Sequence, residues 1–268
     1  MVDYSFYKRF KIEKEDRLAI VTLNRPEARN AIDHQAHIEL LRLFVDLAED
    51  DEVFSILLTG AGDTFTVGGD VKGMKDRPAG DVLKEGAMLD TGPARRIVYN
   101  LLDCEKPIVC AINGHAIGLG ATIALFCDIT VAANDAKIAD PHVKIGLVAG
   151  DGGASIWPLL VGPSRAKEYL MRGLALTGAE AERVGLVNYA VPREEVYNKA
   201  YEIARELADG ATWAIRWTKL SVNKWLKDQV NLILDTSMAL EIATFNTDDH
   251  REAVAAFIEK RKPVFTGR

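Results

Sequence analysis

Apolar residues run together almost without alternation at Val53–Thr59 and again at Ile108–Ile112. That is the pattern of strands covered on both faces. Phe10–Lys14 and Leu18–Leu23 flank Glu15-Asp16-Arg17 and predict a hairpin. Asn24 to Asn30, with Pro26, breaks the pattern. Asp33 then predicts the N-cap of a helix over about 34–50, with Ile38, Leu41, Phe44, Val45 and Leu47 on one face.

Both buried strands leave through glycine-rich turns. The first gives way to Gly60-Ala61-Gly62-Asp63 and Phe65-Thr66-Val67-Gly68-Gly69-Asp70, the second to Asn113-Gly114 and an apolar helix opening near Gly118. The first N–H groups of such a helix lack backbone partners and favour negative charge. Residues 74–92 are polar, carry Pro78, Gly80, Gly86 and Gly92, and read as a mobile loop with broken helix. A helix over about 93–103 precedes the second strand. Beyond it the pattern predicts strands at Ile129–Ala133, Lys137–Ala139 and Val187–Val191. It also predicts a helix opening after Asp151-Gly152-Gly153 and helices near 164–172 and 179–184.

From Glu194 onward strands disappear, and 194–208, 211–227, 229–247 and 249–260 read as consecutive helices. Trp213, Ile215, Trp217 and Leu220 put apolar surface on more than one face, which predicts a subunit contact. The fold class is therefore α/β, with a core over 1–205 and a helical region over 206–268.

Composition narrows this little. Of 268 residues, 48% are hydrophobic and 27% charged, as in an ordinary globular chain. The net charge of −6 supplies no basic field, so no nucleic-acid partner is expected. No apolar leader and no run of about 18 apolar residues occurs, so the expectation is a cytoplasmic protein with no membrane partner. Cys104, Cys110 and Cys127 read as reduced core thiols, and no Cys/His spacing fits a metal. Gly118-Leu119-Gly120-Ala121-Thr122-Ile123 lacks the third glycine of a dinucleotide fingerprint, so no nicotinamide cofactor is expected.

Two glycine-rich exits in one sheet direct two sets of N–H donors at one cavity, a geometry suited to the oxygen anion that develops on a thioester carbonyl. Here the chain resembles the crotonase superfamily, the enoyl-CoA hydratase/isomerase family. The matching segments are Leu23–Ala31, Phe65–Asp70, Lys106-Pro107-Ile108 with Asn113–Ala116, Leu176-Thr177-Gly178 with Ala181 and Gly185-Leu186-Val187, and Phe257–Pro263. They fall in register over nearly the whole chain. The resemblance implies a spiral of ββα units, a C-terminal α-helical trimerisation region, and a homotrimer or dimer of trimers. It implies an acyl-CoA substrate, with coenzyme A carried by the substrate and no separate cofactor. It places the oxyanion donors at the N–H groups of Gly69 and Leu119, where relatives usually carry glycine at the second position. Leu119 keeps the donor and narrows the acyl pocket. Ala28, Thr66, Gly68, Asp70, Val71, Gly118 and Thr122 would line the substrate path. Phe257 and Lys260 would reach coenzyme A on a neighbouring subunit.

The family's two hydratase glutamates fall at Thr122 and His142, so both are missing. A threonine hydroxyl has no useful acid or base pKa near neutrality. Proton chemistry then rests on His142 and on Asp151, where some branches of the superfamily carry a catalytic aspartate. Asp151 also reads as a plain helix N-cap, and His142 as a turn residue. His115 is expected to pack beneath the oxyanion turn, and His34, His37 and His250 to sit on helix surfaces. Three functions follow as alternatives: hydration or isomerisation of an enoyl-CoA through another acid/base set, hydrolytic cleavage of a 1,3-dicarbonyl by His142 and Asp151, or a catalytically silent CoA-binding homologue.

Overall fold

The computed structural model describes residues 2–70 and 92–268. The hairpin forms from β1 (Phe10–Glu15) and β2 (Leu18–Leu23), paired antiparallel with Phe10 opposite Leu23. β1 alternates buried and exposed residues, as an edge strand with one wet face should, whereas β2 is buried almost throughout. A 3-10 turn at Pro26–Ala28 leads to α1 (His34–Glu49), whose first turn is capped by Asp33 accepting from Ala36 N. The buried face of α1 is Ala36, Leu40, Leu43, Phe44 and Leu47. Ile38 and Val45, expected on that face, stand 36% exposed. The true stripe runs through Leu40 and Leu43, one position away from the expected one.

β3 (Ser55–Gly60) pairs parallel to β2, and after α2 (Gly92–Asp103) the chain returns as β4 (Ile108–Ile112), parallel to β3. Every residue of β3 and β4 is buried, as their unbroken apolar runs require. Two residues of β5 (Ala116–Ile117) precede α3 (Leu119–Leu125). β6 (Ile129–Ala133), β7 (Lys137–Ala139) and a 3-10 turn (His142–Ile145) follow. The chain continues through α4 (Gly153–Val161), α5 (Pro163–Arg172), β8 (Ala175–Thr177), α6 (Gly178–Arg183) and β9 (Tyr189–Val191). The main sheet has the order β1-β2-β3-β4-β6-β9, with all pairs after the hairpin parallel. A smaller sheet, β5-β7-β8, stands beside it. β5 and β8 are too short to show period-two alternation, and the sequence pattern does not reveal this second sheet.

α7 (Val196–Asp209) lies across β3, β4 and β6 and spans the expected boundary at 205/206. The helices expected at 211–227 and 229–247 are one, α8 (Thr212–Thr244), of 33 residues and about 50 Å. Neither Gly nor Pro lies within it, so nothing breaks it. Its Val230, Leu234 and Met238 join the main core, while Trp213, Trp217 and Trp225 stand more than half exposed. Lys219 Nζ reaches Asp128 Oδ2 at 2.7 Å and the Lys106 carbonyl at 2.8 Å, fixing α8 to the start of β4. α9 (Asp248–Glu259) closes the chain. The three cysteines are free and buried. Among the described residues, no helix is long and apolar enough to cross a membrane. Of the loop with broken helix expected at 74–92, all but Gly92, which opens α2, falls outside the described residues, as does the candidate Val71.

Candidate active site

Asn113 joins the two glycine-rich exits, and Asn30 ties the turn before α1 to the first of them. Asn113 Nδ2 donates to the Gly60 and Gly62 carbonyls at 3.0 and 2.9 Å, and its Oδ1 accepts from Gly60 N. Asn30 Nδ2 donates to the Ala61 and Thr64 carbonyls. The two exits then run side by side: Thr66 N donates to the His115 carbonyl and Ile117 N to the Thr66 carbonyl. Thr66 Oγ1 donates to the Asn30 carbonyl and accepts from Gly68 N, so the buried hydroxyl shapes the turn that precedes Gly69. Gly68 has φ +79, and a Cβ there would collide with the Ile117 carbonyl. Only glycine combines that conformation with that approach.

Leu119 is the first residue of α3, and Gly118, at φ 55, is its N-cap. No side chain caps this helix. Leu119 is 6% exposed, so its side chain is packed into the core cluster. Asp70, from the neighbouring turn, pairs with Arg25 Nη1 at 3.2 Å. Ala28 is half-buried in the 3-10 turn. Phe257 lies exposed on α9 and Lys260 caps its C-terminal end. Neither makes a hydrogen bond or ion pair with the other candidates among the described residues.

His142 and Asp151 do come together. His142 Nε2 lies 3.5 Å from Asp151 Oδ2, and Thr122 Oγ1 donates to Asp151 Oδ1 at 3.2 Å. Thr122 and Asp151 are 1% and 8% exposed. Asp151 is not itself the N-cap of α4, which is Gly152, but its carboxylate accepts from the N–H of Gly153, the first residue of that helix. Two further carboxylates complete the group, and sequence reasoning did not single out either. Asp140 Oδ1 is hydrogen-bonded to His142 Nδ1. Glu241, from α8, places Oε1 3.9 Å from His142 Nε2. Asp140 is adjacent in sequence and its i, i+2 spacing to His142 was a usable signal. Glu241 is 90 residues beyond Asp151 on a long helix, where a lone glutamate reads as solvated surface.

Glycines clear room for these side chains. A Cβ at Gly152, itself at φ 129, would stand 2.6 Å from Thr122 Cγ2. One at Gly153 would collide with Asp140 Oδ2, and one at Gly150 with Glu241 Cβ. The run Gly150-Asp151-Gly152-Gly153 is thus a floor on which the polar groups meet.

One imidazole faces three carboxylates in a dry setting. Burial opposes a charge on the ring, but Asp151, Asp140 and Glu241 outweigh it and raise His142 to about 10. Burial, reinforced by Asp151, pushes Glu241 up to about 8. Burial also raises Asp151, with His142 acting in the opposite direction. At neutral pH the ring is the cation of the cluster. Asp140, His142 and Asp151 offer donor atoms within 4.8 Å of one another, a grouping that Cys/His spacing does not expose. The hydrogen bonds already described link Asp140 Oδ1 to His142 Nδ1 and Asp151 Oδ1 to Thr122 Oγ1.

The other histidines hold no such position. His115 Nδ1 accepts from Lys137 N. His250, expected on a helix surface, is 6% exposed and its Nδ1 meets the Ile145 carbonyl at 2.7 Å. It ties α9 to the turn that carries His142.

An α/β core with a flanking three-stranded sheet, paired glycine-rich exits and a terminal helical layer defines a structural class, and comparison with known proteins gives it a family. The enoyl-CoA hydratase/isomerase family model matches residues 13–268. A short-chain-enoyl-CoA hydratase of Clostridium acetobutylicum is 35% identical over 256 residues, covering 94% of this chain and 95% of the relative. A 1,2-epoxyphenylacetyl-CoA isomerase of Escherichia coli is 32% identical over 254 residues, covering 95% and 97%. The crystal structure of an enoyl-CoA hydratase/isomerase from Mycobacterium paratuberculosis superposes with a TM-score of 0.87 at 32% identity, covering 94% of this chain and 99% of that one. The chain belongs to the enoyl-CoA hydratase/isomerase family and is an enzyme of the hydratase/isomerase kind.

Proposed function

We propose that the enzyme isomerises an enoyl-CoA: it holds the thioester carbonyl oxygen between the N–H groups of Gly69 and Leu119, and Asp151 moves a proton between carbons of the acyl chain. The observation that carries this reading is the pairing of Asp151 with His142 Nε2 at 3.5 Å, on the floor beside Thr122. With the ring charged, Asp151 is the group able to accept a proton, and the adjacent cation stabilises its carboxylate. The oxyanion donors would stabilise the enolate formed when Asp151 removes an α-proton. Asp151 would then return that proton at the γ-carbon. Water addition needs a second group in the correct protonation state, and Thr122 cannot supply it.

The acyl-CoA would lie along Ala28, Thr66, Gly68, Asp70, Val71 and Gly118, with Phe257 and Lys260 contacting coenzyme A across a subunit boundary. The exposed tryptophans of α8 support self-association as a trimer or a dimer of trimers. No cofactor beyond the substrate's own coenzyme A is invoked, and a cytoplasmic location fits the chemistry.

A second reading is hydrolytic cleavage of a 1,3-dicarbonyl. It is favoured by one observation: His142 Nε2 faces both Asp151 and Glu241, so a water entering there would meet two carboxyl groups beside the ring. Incubation with 2-enoyl-, 3-enoyl- and dienoyl-CoA esters in D2O, and separately with cyclic 1,3-diketones, separates the two. Isomerised thioester with deuterium in the acyl chain supports the first. Free acid formed only from diketones, with no thioester turnover, rejects it in favour of the second.

A further inference from the structure

The cluster around His142 contains one carboxylate that the proposed proton transfer does not use and that is nonetheless buried. Asp140 is 1% exposed, and its Oδ1 takes both the backbone N–H of His142, at 3.4 Å, and ring Nδ1. Its other oxygen, Oδ2, is buried with no hydrogen-bond partner. A charged carboxylate left half-satisfied in the interior is costly unless something specific holds it. Two features hold it here. The imidazolium neutralises it on one side, and the first turn of α4 lies on the other, where the absence of a Cβ at Gly153 makes room for Oδ2.

We propose that Asp140 is a positioning residue: by binding Nδ1 of His142 it fixes the ring's rotation and tautomer, so that a protonated Nε2 points at Asp151 and Glu241. Without that bond the ring could turn, or carry its neutral-form proton on Nε2 instead of Nδ1, and Asp151 would lose its counter-charge. A ring nitrogen's state is set by the hydrogen bond the other nitrogen makes. The charged groups that face the ring are Asp140 from its own turn, Asp151 from the turn before α4, and Glu241 from α8. Asp140→Asn removes only the first of these.

The proposal builds on the isomerase reading but is tested without substrate. The imidazole of His142 in protein labelled with 15N-histidine is titrated by NMR in the wild type, in Asp140→Asn and in Gly153→Ala. In the wild type both ring nitrogens should remain protonated through pH 8. In Asp140→Asn the midpoint should fall by about one to three pH units, the range for loss of an adjacent opposite charge. Gly153→Ala, which intrudes on Asp140 Oδ2 while leaving the carboxylate in the chain, should shift it in the same direction. It is the second route should Asp140→Asn fail to fold. An unchanged His142 titration and Nδ1 signal in either folded variant overturns the proposal. Turnover is read in parallel: kcat should fall in Asp140→Asn with KM near its wild-type value. A shifted titration with unaltered thioester turnover would uphold the positioning role and reject the proton-transfer reading.

Discussion

Replacing Asp151 by asparagine is the sharpest perturbation of the proposed chemistry. The side chain keeps its size, and an amide oxygen can still accept from Thr122 Oγ1, which lies 3.2 Å from the carboxylate. What disappears is a proton acceptor and a negative charge 3.5 Å from His142 Nε2. At an effective dielectric of about 20, that charge pair is worth about 5 kcal/mol before desolvation is subtracted. The kinetic loss is set by the missing base, which for general acid–base catalysis is about 10²- to 10⁴-fold in kcat. The backbone donors of Gly69 and Leu119 are untouched, so KM and the Kd for a CoA thioester should barely move. The assay is steady-state isomerisation of a 3-enoyl-CoA, with α-proton exchange into D2O followed on the same samples. Turnover and exchange equal to those of the wild type would remove Asp151 from the mechanism.

Three further outcomes are expected. Leu119→Pro removes the second donor at a first-turn position that tolerates proline, so kcat should fall by about 10²- to 10³-fold with the fold intact by circular dichroism; activity like that of the wild type would exclude this N–H. Glu241 has a folded-state pKa raised to about 8 from 4.5, so its stabilising effect is complete below pH 4.5 and is lost as pH rises through 8. Urea unfolding of wild type and Glu241→Gln should therefore show the wild type losing stability relative to the variant across that window, and a constant difference would contradict the assigned environment. Lys219→Met leaves the Asp128 carboxylate unpaired and should cost about 3 kcal/mol, the low end for a broken buried pair because Asp128 keeps an edge to solvent; denaturant titration measures it.

The fold was legible where local pattern is forced by burial on both sides. β3 and β4 are buried throughout, as their apolar-rich runs predict, and α1 begins at Asp33, which caps it. The misses have physical causes. The three-stranded sheet is built from strands of two and three residues, too short to carry a period. α8 reads as two helices because its apolar residues leave one face and reappear on another, and only the structure shows that Val230, Leu234 and Met238 enter the core while Trp213, Trp217 and Trp225 remain exposed. At the site, Thr122, His142 and Asp151 could be named from the sequence because the family resemblance marks their positions. Glu241 could not, since its role depends on where α8 crosses α4.

That crossing bears on what Thr122 and His142 mean at the positions where the family resemblance leads one to expect glutamates. If Thr122 and His142 merely marked decay, nothing would require the surroundings to accommodate them. Instead the histidine is countered by three carboxylates from three separate segments, and glycines at 150, 152 and 153 leave space where any side chain would strike Glu241, Thr122 or Asp140. Such a cluster contributes little to stability, because burying several carboxylates is costly and a well-packed apolar group of the same volume would serve as well. Its physical yield is instead a set of proton-binding groups with pKa values pushed away from their ordinary range toward neutrality and beyond. A silent CoA-binding homologue would have no use for that. The arrangement is the one expected of the proposed enzyme, in which a histidine-supported aspartate would transfer the proton.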